Sequence, residues 1–330
     1  MPTIVRFHRL GGPENLRFEE VSSEAPGPGE VRLRVQATGL NRAESLYYRG
    51  AYRESPQLPS RLGYEAAGIV DAVGDGVDRS WVGKGVATVP GFSQSRYGTL
   101  GEEAIVPARV LGIYPPNLTP AQGAAVWMAY LTAYGALVRL AGVTTGDFVS
   151  IPAASSSVGL AAIQIVRDAG AAAIAVTRTA AKRAELLALG AHHVIVTEEE
   201  DYVARIEQIS GGRGARISFD PVGGPFVEKL VTASARGGIV FEYGWLSDQP
   251  TVFPFWAALQ RSVSIRGYSL TEYTGDAAAV EPAKKYIYER LADGRFVPKI
   301  ARAFPLRQSV EAYRYLESNQ QVGKVVITVP

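Results

Sequence analysis

Phe148-Val149-Ser150-Ile151-Pro152-Ala153-Ala154-Ser155-Ser156-Ser157-Val158-Gly159 is the stretch whose reading settles the architecture. Its first four residues form a short apolar strand, and an Ala- and Ile-rich helical pattern follows over 157–169. A strand that passes through small residues straight into a helix is the layout of a first βα turn, where helix N-terminal amides meet a pyrophosphate. Only Gly159 occupies one of the glycine places of such a turn, with Ala and Ser at the earlier ones. Small side chains still permit close backbone approach, and Ser155, Ser156 and Ser157 add hydroxyl donors for phosphate oxygens. Taken alone, these residues equally describe an ordinary N-capped helix; the flanking sequence decides.

Downstream, strand and helix patterns alternate. Strands are expected at 172–176, 194–196, 217–219, 239–241 and 263–265, with helices at 180–189, 202–209 and 226–234 between them. With 148–151 these make six strands, the number of a parallel, doubly wound dinucleotide-binding sheet. Upstream the period is different. Val31-Arg32-Leu33-Arg34-Val35-Gln36-Ala37 alternates apolar and polar, and strands at 68–73 and 85–89 flank Gly- and Pro-rich turns, which predicts a compact β-rich domain. One helix is expected over 121–140, opened by Thr119-Pro120. The tail reads as a helix at 281–291, a short strand near Val297-Pro298, a helix at 310–317 and a final strand at 324–329.

With 330 residues the chain suits two domains. Net charge is +2 with cations scattered, so no basic patch suggests nucleic acid, and no apolar run is long enough for a membrane span. The N-terminus reads as a strand, without a signal-peptide layout, so a cytoplasmic protein is expected. There are no cysteines and only three histidines, His8, His192 and His193. Thiolate zinc sites are therefore impossible, and the adjacent histidines point to opposite faces of a strand, so no catalytic zinc is expected.

The end of the second strand chooses between cofactors. An NAD site calls for an acid there, but Thr177-Arg178-Thr179-Ala180-Ala181-Lys182-Arg183 offers none before Glu185. Arg178 and Lys182 can neutralise a ribose phosphate, and cations at a helix start oppose the macrodipole unless an anion is near. This favours NADPH over NADH.

Several segments in order carry a family resemblance. They are Thr38-Gly39-Leu40-Asn41-Arg42-Ala43-Glu44 with Gly50-Ala51-Tyr52, and Leu62-Gly63-Tyr64-Glu65-Ala66-Ala67-Gly68. Further along come Trp127-Met128-Ala129-Tyr130-Leu131-Thr132-Ala133-Tyr134, Asp220-Pro221-Val222-Gly223-Gly224 and Gly323-Lys324-Val325-Val326. Together the chain resembles the zinc-free quinone oxidoreductase group of the medium-chain dehydrogenase/reductase superfamily.

The resemblance implies an α/β protein with a GroES-like β-rich catalytic domain, residues 1–121 and 266–330, and a doubly wound six-stranded Rossmann domain, 122–265. The active site would lie in the cleft between them. The three zinc-ligand positions of the alcohol dehydrogenases fall on Asn41, Tyr64 and Met128, none of which replaces a thiolate or imidazole. By the same carry-over Asn41 and Tyr52 line the hydride-transfer site; Asn41 and Tyr64 are candidate donors to the developing oxygen, with Tyr52, Tyr64 or water as the source of the final proton. Thr132 contacts the nicotinamide, and Ser155, Ser156, Ser157 and Val158 meet the pyrophosphate. Thr177, Arg178, Lys182 and Thr197 belong to the adenosine side, where Thr197 replaces a tyrosine common in the group. Met128, Tyr243, Gly244, Trp245, Asn319 and Lys324 complete the cofactor set. The family also implies a homodimer paired through sheet edges, for which 263–267 is a candidate edge.

Without a metal, no Lewis acid is available to ionise an alcohol. Hydride transfer to a quinone or to the β-carbon of an α,β-unsaturated carbonyl needs only orientation and hydrogen-bond donors. An NADPH-dependent quinone or enone reductase is therefore the leading expectation. The rivals are a non-catalytic, crystallin-like or regulatory NADPH-binding protein and an alcohol dehydrogenase.

Overall fold

The βα alternation builds one parallel sheet, described by a computed structural model that covers every residue from Met1 to Pro330. Its strands are β1 (Phe148–Ile151), β2 (Ala172–Thr177), β3 (His193–Val196), β4 (Ala215–Asp220), β5 (Ser234–Glu242) and β6 (Ser264–Gly267). Their spatial order is β3-β2-β1-β4-β5-β6, all parallel, which puts the point of reversal at β1 and β4. In that topology ligands bind beyond the C-terminal strand ends at the reversal. The inner strands are buried nearly throughout, as near-continuous apolar runs such as Ala-Ala-Ile-Ala-Val in β2 require. This sheet belongs to one of two units into which the chain divides, Ala129–Glu272.

The other unit joins Met1–Met128 to Tyr273–Pro330. Its larger sheet has Glu30–Gly39 near the middle, paired antiparallel with Glu65–Val73 on one side and with Lys324–Thr328 on the other. The register sets Gly39 opposite both Glu65 and Val326. Residues from three distant parts of the chain thus converge at one strand end. Gly39 must be glycine there, because a Cβ would lie 1.9 Å from the Ala124 carbonyl oxygen and 2.7 Å from Lys324 Cε. A smaller sheet orders Leu16–Glu20, Thr3–Phe7 and Ser60–Arg61.

Several expected elements differ. The helix over 121–140 is three pieces: Pro120–Gly123, Trp127–Tyr134 and a π-helical turn, Gly135–Leu140. Thr119 and Gln122 form a capping box around Pro120, so the first turn is locally specified. The chain then breaks where the Ala124 carbonyl approaches Gly39. The strand sought near Val297-Pro298 is Ile300–Pro305, since Pro298 has no N–H for a ladder. β5 begins at Ser234 rather than at 239, and the helix expected over 180–189 is a 3-10 turn followed by Arg183–Ala188.

Candidate functional site

In the Ala129–Glu272 unit the turn after β1 leads directly into the helix Ser157–Asp168. Ser156 is its N-cap, and its hydroxyl oxygen accepts from Gly159 N–H at 3.0 Å. Gly159 is the glycine the turn cannot lose: a Cβ would stand 2.6 Å from the Ala154 carbonyl oxygen. Ser155, Ser157 and Val158 are half-buried around the same helix start.

Lys182 reaches this turn, donating from Nζ to Ser155 Oγ at 2.9 Å. Burial, and then the Arg178 charge, hold the Lys182 ammonium below its ordinary pKa. Arg178 is exposed just past the end of β2, which Thr177 closes. Glu185 offsets part of this lowering at Lys182, and two cations beside a helix N-terminus still favour an anion nearby. Thr197, just past β3, donates its backbone N–H to the Thr177 carbonyl at 2.9 Å. The structure therefore brings Ser155, Lys182 and Arg178 together, with Thr177 and Thr197 at the adjoining strand ends.

Past β5, the Tyr243 ring stacks on Phe219 with centroids 4.1 Å apart and planes at 19°. Its hydroxyl is buried beside Ser156 without an aligned hydrogen bond, and burial drives its pKa upward. Gly244 packs on Pro221, where a Cβ would fall 2.8 Å from the carbonyl oxygen. Trp245 is exposed, and Thr132 is buried in the helix Trp127–Tyr134.

The first unit holds a buried polar cluster that sequence reasoning saw only in part. Lys324 and Glu65 form an ion pair in which each side chain is 1% exposed. Glu65 also accepts the Met128 backbone N–H at 2.7 Å and Asn41 Nδ2–H at 3.2 Å. Lys324 Nζ donates to Asn41 Oδ1 at 2.6 Å. Asn41 opens the helix Arg42–Tyr48, and Glu44 in its first turn accepts from the Asn41 backbone N–H. Glu44 is fully buried, and burial pushes its carboxyl up to about 7 against the opposing pull of Lys324 and Asn41.

This arrangement bears on the expectations for Asn41 and Lys324. The Asn41 amide has the Gly39 carbonyl, Glu44 and Glu65 within 3.3 Å of Nδ2, and Lys324 on Oδ1. Both N–H hydrogens are therefore engaged within the cluster, and Asn41 would have to exchange one of these partners to donate to a substrate oxygen. Lys324 is enclosed, with its ammonium bonded to Glu65 and Asn41. Asn319 lies apart from this cluster, exposed at φ +58° and accepting from Arg42 at 2.5 Å.

Tyr64 and Tyr52 meet at a centroid distance of 6.4 Å, with Phe92 5.7 Å from Tyr64. The Tyr64 hydroxyl donates to Glu54 at 3.1 Å, and burial holds its phenol well above the ordinary range. Glu54 is itself fixed by Ser93 and by the Gln94 and Ser95 backbone N–H groups. Sequence reasoning passed over Glu44, Glu54 and Glu65. For Glu44 the signal was present, an acid three residues after the helix-opening Asn41. No group of three His, Cys, Asp or Glu side chains is placed to hold a metal ion.

Residues 27–153 match the alcohol dehydrogenase GroES-like domain, and residues 157–283 match the zinc-binding dehydrogenase domain. Quinone oxidoreductase 1 of Escherichia coli K12 is 30% identical over 99% of both chains. The 2-haloacrylate reductase of a Burkholderia species is 29% identical over 97% of both. Among solved structures, an NAD-dependent alcohol dehydrogenase superposes with a TM-score of 0.91 at 31% identity, covering all of both chains. The Escherichia coli quinone oxidoreductase complexed with NADPH superposes at 0.89 with 30% identity, covering 99% of both.

Proposed function

Because this chain belongs to the quinone oxidoreductase group of the medium-chain dehydrogenase/reductase superfamily, we propose that it is a zinc-independent, NADPH-dependent reductase of quinones or α,β-unsaturated carbonyls. The observation that carries the cofactor half is Lys182 on Ser155 of the first βα turn with the Arg178 charge beside it, two cations that suit a ribose phosphate. Ser155, Ser156, Ser157 and Val158 would hold the pyrophosphate. Thr177 and Thr197 would flank the adenosine, and Thr132, Tyr243, Gly244 and Trp245 the nicotinamide half. NADPH, when bound, supplies a hydride to an acceptor that is already electrophilic.

The chain's own chemistry fits that acceptor class. Positions 41, 64 and 128 present an amide, a phenol and a thioether, and there is no cysteine anywhere, so zinc activation of an alcohol has no ligand set. Tyr64 stays protonated because burial raises its pKa, and Glu54 keeps its hydroxyl hydrogen oriented until an acceptor oxygen competes for it. Tyr52 packs at its side as the second phenol. The 2-haloacrylate reductase among the relatives acts, by its name, on an activated alkene, which favours the unsaturated-carbonyl arm beside quinones.

A homodimer is part of the same reading. β6 is an edge strand, and the helix before it, Phe255–Arg261, leaves Trp256 71% and Leu259 57% exposed, with Phe253 at 59%. An open edge next to an aromatic surface suits pairing with a second copy. The test of function is NADPH oxidation across a panel of quinones, enals and enones. Turnover with either class and not with simple alcohols supports the reading. No turnover with any of them, despite NADPH binding, leaves the non-catalytic alternative in its place.

A further inference from the structure

Two carboxyls meet at the C-terminal ends of neighbouring strands in the Ala129–Glu272 unit. Asp220 closes β4, Glu242 closes β5, and they are register partners. Asp220 is fully buried and accepts the Val222 and Gly223 backbone N–H groups, each at 2.9 Å. It thereby fixes a turn in which Gly223 and Gly224 take φ of +68° and +65°. The segment after β5 is zipped to that turn: Tyr243 N–H donates to the Asp220 carbonyl at 2.9 Å, and Leu246 N–H to the Pro221 carbonyl at 3.0 Å.

Glu242 therefore stands beside Asp220 on the neighbouring parallel strand, and its Oε1 is buried with no partner. Two carboxylates are acceptors only, so a hydrogen bond between them exists only with a proton on one. The titratable groups around them are the phenols of Tyr202 and Tyr243. On the flanking β6, Gly267 is the partner of Glu242, and the adjacent Arg266 is ion-paired with Glu272 at 2.9 Å. Loss of the proton would therefore leave two like charges facing each other in a buried place.

We propose that Asp220 and Glu242 share one proton, and that this proton is a positioning element of the cofactor site, locking the 221–224 turn to Tyr243 and Gly244. Its loss separates the two carboxyls and loosens the surface that would carry the nicotinamide half, so the inference rests on the NADPH reading above. Burial and the neighbouring Asp220 push Glu242 up to about 8, which keeps the proton in place at neutral pH. Glu242 is then a positioning residue that acts through Asp220 and the turn.

The test compares wild type with Glu242→Gln, whose amide supplies a hydrogen that cannot be titrated away. The first readout is NADPH affinity by fluorescence from about pH 6 to about pH 10. In wild type the Kd is expected to be level up to about pH 8 and then to rise about tenfold per pH unit more steeply than in Glu242→Gln, which keeps only the dependence on the Lys182 charge that both proteins share. The second readout needs no cofactor. A carboxyl whose folded pKa is raised contributes stability that falls as pH climbs from its unfolded value of about 4.5 towards about 8. The wild-type Tm should therefore decline across that window more steeply than that of Glu242→Gln.

Coincident profiles for the two proteins overturn the proposal even where NADPH binds tightly. A steeper wild-type Tm decline in a chain that never binds NADPH supports the shared proton and sinks the NADPH reading instead. Should Glu242→Gln fail to fold, infrared spectroscopy of wild type decides. A protonated-carboxyl band lost with a midpoint near pH 8 supports the pair, and its absence at neutral pH overturns it.

Discussion

Lys324 and Glu65, 259 residues apart in sequence, form an ion pair in which both side chains are 1% exposed. Glu44 is buried in the same cluster, so Lys324 is the cation that faces two carboxyls. Removing one partner of a buried pair leaves an uncompensated charge. Lys324→Met is expected to cost about 3–5 kcal/mol in urea denaturation, and Lys324→Met with Glu65→Gln distinctly less. A cost below about 1 kcal/mol for the single variant would show that the cluster is solvated rather than buried.

Stability should depend on Glu44. Its folded pKa of about 7 lies above the ordinary 4.5, so the folded state holds a proton that the unfolded chain releases. The sign is therefore a stability that falls as pH rises from about 4.5 to about 7 and levels beyond. The full swing is on the order of 3 kcal/mol. Glu44→Gln should remove this contribution, seen as a flatter plot of unfolding free energy against pH.

Cofactor choice should move with Arg178 and Lys182. Arg178→Ala is expected to weaken NADPH binding by roughly tenfold to a hundredfold, about 1.5–3 kcal/mol, and to leave NADH almost unchanged. Equal losses for the two cofactors in a fluorescence titration would remove the ribose phosphate from this place.

Gly159→Ala should displace the phosphate turn, because its Cβ would meet the Ala154 backbone at 2.6 Å. About 1–3 kcal/mol of destabilisation is expected, with weaker NADPH binding in isothermal titration. A variant as stable as wild type and binding as tightly would mean that the turn gives way without cost.

Trp256→Asp should convert a dimer to a monomer in analytical ultracentrifugation, since it places a charge in the aromatic surface beside β6. A wild-type chain that sediments as a monomer, or a variant that still pairs, speaks against this face.

Much of the fold was legible because its causes are local. Apolar runs of four to six residues, such as Phe148–Ile151 and Ala172–Thr177, alternate with amphipathic helices, and that period implies a doubly wound sheet. The cation pair at 178 and 182 was legible for the same reason, because both residues follow one strand end. The break in the expected helix over 121–140 was not, because the Ala124 carbonyl is directed by its approach to Gly39, a contact between remote segments.

The sequence by itself determined that no thiolate can bind zinc, that a six-strand βα alternation occupies the middle of the chain, and that its second strand ends on cations. Only the tertiary structure decided which groups hold Asn41. Its amide is saturated by Glu44, Glu65 and Lys324, and a strand register that sets Gly39 opposite Glu65 and Val326 brings them there. It likewise decided that Asp220 and Glu242 are neighbours. Hydrogen-bond capacity and carboxyl protonation depend on which groups share a buried volume, and adjacency along the chain carries no record of that.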